Sequence, residues 1–422
     1  MRVCGIRIES NIKMSLQSLK SKNLCASAAV LLLFTCTVFG QNLIPQDISL
    51  ANGRSFKLKI PSNYEIIPAA EGLKRVRFFA KAPDGRIFVT DMFNLTDNTK
   101  GKVYILDDWN EKTGKFGSVI TYMSGLRNPN SVAFFTDDEG VDWFYLAETD
   151  KLTRRRYSHG ENEPTGVPET LAKFPAYGLS YKYGGWHLTR TIVVGGDGKI
   201  YVSVGSSCNA CREKERVRAS VIEMNPDGSD QKIFARGLRN AVGMLWLGKY
   251  LFATNQGSDH LGLNKPDDTF YAVRRGKDYG WPQCYQYRTR IYRDRFIGGR
   301  KNCRRVQKGY ARFPAHTSPM GFDYFDSETK DEMLRDSFLI AMHGSTDKSL
   351  KRGYKIVIMR KGKKLVDFIT GFLNGRRVNG RPLDIFKLSP DTFLLSDDHG
   401  GVVYYIRPRG EAEMGSGAPV KR

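Results

Sequence analysis

The sequence predicts an all-β fold, a six-bladed β-propeller. Three observations carry that expectation. Paired β-rich runs recur six times, most of them about 50 to 60 residues apart, a spacing within and slightly above that of known blade repeats. Sustained helical periodicity is missing once an N-terminal apolar run has been passed. At 422 residues the chain suits one large all-β domain, in which radial repetition leaves only short, protected sheet edges.

Residues 1–40 read as a cleaved signal peptide. Lys20 and Lys22 precede an apolar run over 24–39 of about 15 residues, and Gly40 is the small residue before the mature start. That run is short of the roughly 20 residues a spanning helix needs, so a periplasmic or secreted protein without a stable membrane span is expected. The propeller is expected over 41–410, with Ser55–Ile60 as the outer strand that closes the last blade onto the first. The six units pair 83–91 with 102–107, 142–148 with 151–157, 196–203 with 219–224, 249–254 with 269–273, 337–342 with 354–359, and 389–396 with 402–406; many follow a Gly or Asp turn. Between the fourth and fifth units the basic segment 284–314 reads as a loop insertion. The stretch 411–422, rich in Gly, Pro and charge, reads as a disordered tail.

Export changes how the cysteines are read. Cys4, Cys25 and Cys36 fall in the leader, which leaves Cys208, Cys211, Cys284 and Cys303. In an oxidising compartment these form two disulfides, and Cys208–Cys211 with Cys284–Cys303 is the favoured one of three pairings. Arg212 stands where a c-type haem attachment needs His, and no second CxxC completes a four-cysteine zinc site. The net charge of +22, from 66 basic and 44 acidic residues, favours anionic partners. The basic residues are scattered, however, and no zinc-finger spacing or RNA-recognition signature occurs, so a nucleic-acid partner is not expected.

The chemistry lies where strands begin and end. His187 precedes the inner strand of the third unit beside Trp186 and Arg190, and a neutral imidazole there suits removal of a hydroxyl proton. Arg239-Asn240 leads into the fourth unit, and an Arg fork beside an Asn amide suits a planar ligand bearing carboxylates or carbonyls. Gly257 and Ser258 end a strand of that unit in a turn whose carbonyls are hard ligands suited to Ca²⁺. Lys348, Lys351 and Arg352 concentrate charge in the loop of the fifth unit, and Arg381 leads into the sixth. No serine nucleophile elbow, phosphate-binding loop or dinucleotide fingerprint is present.

Together these residues resemble the soluble pyrroloquinoline quinone (PQQ)-dependent sugar dehydrogenases: soluble glucose dehydrogenase and its L-sorbosone and pyranose dehydrogenase-like relatives. The resemblance spans 73–407. It rests on His187-Leu-Thr-Arg190 with its following strand, Leu238-Arg-Asn-Ala-Val-Gly243, Gln256-Gly257, Asp278-Tyr-Gly-Trp-Pro282, Ser349-Leu-Lys-Arg-Gly353 and Arg381-Pro-Leu-Asp384. It implies PQQ as hydride acceptor, Ca²⁺ held by Gly257 and Ser258, and His187 as general base. It further implies Arg239 and Asn240 on the quinone oxygens, Arg381 with Lys348 or Lys351 on the cofactor carboxylates, and Arg77 as a further contact. A sugar or related alcohol is the implied substrate, and a separate electron acceptor the partner. Two departures stand out: the glucose enzymes have a second Arg where Leu383 stands, and an acid supporting the histidine where Ser206 stands. A non-catalytic propeller binding glycans or a protein partner is the competing class.

Overall fold

Short runs with residues buried on both faces build six four-stranded antiparallel sheets, arranged as a six-bladed propeller. The computed structural model describes residues 42–176 and 187–410; the expected leader over 1–40, Trp186 and the expected tail over 411–422 lie outside them. The blades begin, innermost strand first, at Val76–Lys81, Ser131–Thr136, Ile192–Val194, Met244–Leu247, Pro319–Phe325 and Pro382–Lys387. Most second strands, such as Ile200–Val204 and Phe393–Asp397, are buried throughout, because each is covered by a neighbouring blade on either side.

Strand alternation divides the core between successive blade interfaces. Ile200 and Val202 pack with Tyr145 and Leu152 of the second blade, whereas Tyr201 packs with Leu251 and Tyr271 of the fourth. Phe252 and Phe270 of the fourth blade meet Phe322 and Phe338 of the fifth. A smaller cluster of Phe78, Val242, Met320 and Leu383 joins the inner parts of the ring, so Leu383 sits in an apolar plug.

Hydrogen bonds also cross every blade interface. Phe79 N donates to Asp384 (3.0 Å), Thr90 Oγ1 to the Asn130 carbonyl (2.7 Å) and Asn130 Nδ2 to Thr191 Oγ1 (3.0 Å). Thr191 Oγ1 donates to the Val242 carbonyl (2.5 Å), Thr254 Oγ1 to the Met320 carbonyl (2.9 Å) and Lys387 N to Asp323 (2.8 Å). These satisfied polar groups fix the inner strands, since a buried donor or acceptor left without a partner is costly.

The closing strand differs from expectation. Tyr64–Ala70, not Ser55–Ile60, pairs with Val402–Pro408 and completes the sixth blade. The run Ser55–Pro61 instead forms a hairpin with Leu43–Ser49, buries Phe56, Leu58 and Ile60 against the fifth and sixth blades, and bridges the fifth blade's edge at Lys59 and Thr370. The turn at Ser62 and Asn63 reverses the chain between the two runs, so the ring is closed one strand later. The insertion over 284–314 is more ordered than a loop. It contains the hairpin Cys284–Tyr287 with Arg290–Arg293, and its end, Ala311–Phe313, is the outer strand of the fourth blade. Both favoured disulfides, Cys208–Cys211 and Cys284–Cys303, are formed.

Candidate functional site

The segments leading into the inner strands meet the loops that join second to third strands. His187 has a positive φ of 49°, which turns its ring toward the loop after Ile200–Val204. Its Nδ1 lies 3.0 Å from the Ser206 carbonyl and 2.9 Å from Ser206 Oγ. The Ser206 hydroxyl donates its proton to the Cys208 carbonyl at 2.8 Å, so both Ser206 oxygens face Nδ1 as acceptors. That arrangement assigns the proton to Nδ1 and the lone pair to Nε2. Burial, then the Arg239 charge, pushes the imidazole pKa well below its ordinary value and keeps it neutral.

Gly205 separates His187 from Asn240. A Cβ there would come within 2.5 Å of the His187 Cβ and 2.7 Å of Asn240 Oδ1, so only glycine permits this approach. Asn240 Nδ2 gives one proton to Gln256 Oε1 at 3.0 Å and carries a second, while its backbone N–H donates to Asn255 at 3.1 Å. Arg239 is buried and donates from Nε to the Asn209 carbonyl (2.8 Å) and from Nη2 to Asn209 Oδ1 (2.9 Å). Burial lowers its pKa to about 10 against the pull of Asp259 and Asp268, so it remains a cation at neutral pH.

The Gly257–Ser258 turn is tied down from behind. Asp268 accepts from Gly257 N (2.7 Å), Ser318 N (2.8 Å) and Thr317 Oγ1 (3.1 Å), and burial raises its pKa to about 6. Neither the Gly257 nor the Ser258 carbonyl accepts a hydrogen bond from a described residue. Asp259 bonds His316 Nδ1 at 3.1 Å, and that contact, more than any other, holds the carboxyl below its usual range.

On the opposite arc, Arg77 donates from Nε to Asn130 and from Nη1 to Asp398, each at 3.0 Å. Asp398 also takes Arg75 (3.0 Å) and His343 Nε2 (2.8 Å). Although burial opposes it, this cationic surrounding holds Asp398 far below the carboxylate range. Burial takes His343 down to about 4. Arg381 Nη2 donates to the Ser345 carbonyl (2.8 Å) and to Tyr354 Oη (2.9 Å), and its Nε and Nη1 bond no described residue. Lys348 and Lys351 lie exposed in the adjoining loop, and neither forms an ion pair with a described residue.

Thus His187, Arg239, Asn240, Gly257 and Ser258 share one contiguous group. Arg77 and Arg381 lie on the sixth-to-first-blade side, where Asp398 and Ser345 hold them. Sequence reasoning missed Asn209, Asp268 and Asp398. The one local signal was Asn209's place between two paired cysteines.

Residues 177–353 match the family model described as Glucose / Sorbosone dehydrogenase. This segment is similar to the glucose/sorbosone dehydrogenases. It contains His187, Arg239, Asn240, Gly257, Ser258, Lys348 and Lys351, and leaves Arg77 and Arg381 outside. An uncharacterised protein of Borreliella burgdorferi is 23% identical over 368 residues, covering 83% of this chain and 90% of that protein. Among solved structures, the holo form of the pyranose dehydrogenase PQQ domain from Coprinopsis cinerea superposes with a TM-score of 0.67 at 16% identity, covering 83% of this chain and 97% of that one. A calcium structure of the Trichoderma reesei family AA12 carbohydrate-active enzyme gives 0.66 at 15% identity, with 86% and 98% covered. The apo soluble aldose sugar dehydrogenase of Escherichia coli gives 0.59 at 14% identity, with 82% and 100% covered. At these identities the structural likeness establishes the propeller fold alone, and the similarity to the glucose/sorbosone dehydrogenases is that of residues 177–353.

Proposed function

We propose that the chain is an exported quinoprotein dehydrogenase that oxidises a sugar or related alcohol with PQQ and Ca²⁺. The observation that carries this reading is the juxtaposition of a neutral His187, protonated on Nδ1, with Asn240 across Gly205, inside the segment that matches the dehydrogenase family. The donor set fits the cofactors. Gly257 and Ser258 offer two carbonyls for Ca²⁺, the hard oxygen ligands that ion takes. When bound, PQQ supplies the hydride acceptor and Ca²⁺ the Lewis acid that polarises it.

The chain's own residues do the rest. His187 Nε2 takes the proton of the substrate hydroxyl, and Ser206 holds the ring in the tautomer that allows it. Arg239 and the second Asn240 amide proton would hold the quinone oxygens by donating to them, and their positive potential would favour negative charge at that position. Arg381, with Lys348 or Lys351, would meet the cofactor carboxylates, and Arg77 would add positive potential. No helix among the described residues is long and apolar enough to cross a membrane. A separate carrier removes the electrons, and the net charge of +22 favours an acidic one.

A panel of sugars assayed with PQQ, Ca²⁺ and an artificial electron acceptor tests this reading. Sugar-dependent dye reduction is expected. Glycan binding without any turnover would favour a non-catalytic propeller instead.

A further inference from the structure

The loop between the second and third strands of the third blade is closed on itself by the Cys208–Cys211 disulfide. Three site groups converge on it. Asn209 receives both Nε and Nη2 of Arg239, on its carbonyl (2.8 Å) and on Oδ1 (2.9 Å), so a single residue holds one edge of the guanidinium by two bonds. The same Oδ1 accepts the backbone N–H of Asp259 at 2.9 Å, directly after the Gly257–Ser258 turn. The Cys208 carbonyl accepts the Ser206 hydroxyl at 2.8 Å, which leaves Ser206 an acceptor toward His187. On the other flank, Glu213 accepts from Ser207 N at 2.7 Å.

We propose that Asn209 is a positioning residue, which from within the Cys208–Cys211 loop sets the Arg239 guanidinium and the Gly257–Asp259 turn at a fixed separation. This rests on the proposed function for its consequence, whereas the hydrogen bonds of Asn209 do not. One oxygen, Oδ1, shared by Arg239 Nη2 on one side and the Asp259 backbone amide on the other couples the proposed quinone-side cation to the proposed metal-side turn. Alanine at 209 keeps the backbone carbonyl and removes Oδ1, which releases Arg239 Nη2 and Asp259 N together. Aspartate keeps an acceptor oxygen. The disulfide limits how far the 209 carbonyl can move, so opening the loop releases the third contact, to Arg239 Nε.

The test uses the full chain as wild type, Asn209→Ala, Asn209→Asp and the double variant Cys208→Ser with Cys211→Ser. Amide hydrogen exchange is followed in the apoprotein, and PQQ with Ca²⁺ is then titrated by absorbance. Asn209→Ala is expected to speed exchange over 256–262 and weaken PQQ binding, each about fivefold or more, as the loss of about one hydrogen bond implies. Peptides from the first and sixth blades should stay unchanged, Asn209→Asp should restore protection over 256–262, and the double cysteine variant should resemble alanine. Unchanged exchange at 256–262 in Asn209→Ala overturns the proposal. So does faster exchange across all blades, or PQQ affinity equal to that of a wild type that binds it. A wild type that takes no PQQ while exchange responds as expected supports the clamp and sinks the proposed function.

Discussion

At the level of single residues, His187 is held neutral by burial and oriented by Ser206 rather than by a carboxylate. A serine hydroxyl and a carbonyl fix the tautomer without stabilising an imidazolium as an anion would, so under the proposed function the base would act from a low pKa. His187→Ala should therefore leave PQQ binding intact and reduce turnover by ~10²–10⁴. The acid limb of kcat/KM should fall below pH 6.5, not at it, because the ring stays neutral there; a limb centred at or above 6.5 would contradict this account. His343 gives an independent check. Its pKa in the folded state, about 4, lies below the unfolded value of about 6.5, so its contribution is present above pH 6.5 and lost as pH falls toward 4, a difference of roughly 3 kcal/mol. Its ring resonances in NMR should show the neutral form until about pH 4. His187, Arg239 and Asn240 were legible in the sequence because each sits at a strand mouth. Asp398 was not, because its partner Arg77 lies 321 residues away and only ring closure brings them together.

Among elements, the turn after Tyr250–Asn255 depends on one buried carboxylate. Asp268→Ala leaves Gly257 N and Ser318 N without their acceptor, while Thr317 Oγ1 keeps the Pro314 carbonyl, which should cost on the order of 1–3 kcal/mol or more in thermal or denaturant unfolding. Ca²⁺ affinity should fall with it. The six strand pairs could be read from the sequence because second and third strands are short β-rich runs, most of them apolar, between turn signals. The closing strand could not. Over 55–60 the chain alternates cleanly between exposed and buried residues, the pattern expected of an edge, whereas Tyr64–Ala70 contains Pro68 and a register shift beside it. Alternation identified a strand correctly but not its partner.

For the whole molecule, stability rests on closing a ring from segments at both ends of the chain. Ile66, buried in Tyr64–Ala70, pairs with Ile406 across that closure. Ile66→Ala should cost about 2–5 kcal/mol, read as a lowered denaturation midpoint. The plug of Phe78, Val242, Met320 and Leu383 makes a separate point about specificity. Leu383 is fully buried among apolar side chains, so an arginine at this position has no room, and under the proposed function Arg381 and the lysine loop would meet the cofactor carboxylates. The account as a whole stands on PQQ binding at the face built by His187, Arg239, Asn240 and the Gly257–Ser258 turn. Its most direct test is an absorbance titration of the purified protein with PQQ, with and without Ca²⁺. Saturable, Ca²⁺-dependent binding that weakens in Arg239→Ala is the result expected; no binding with Ca²⁺ present, or binding indifferent to Arg239, would contradict it.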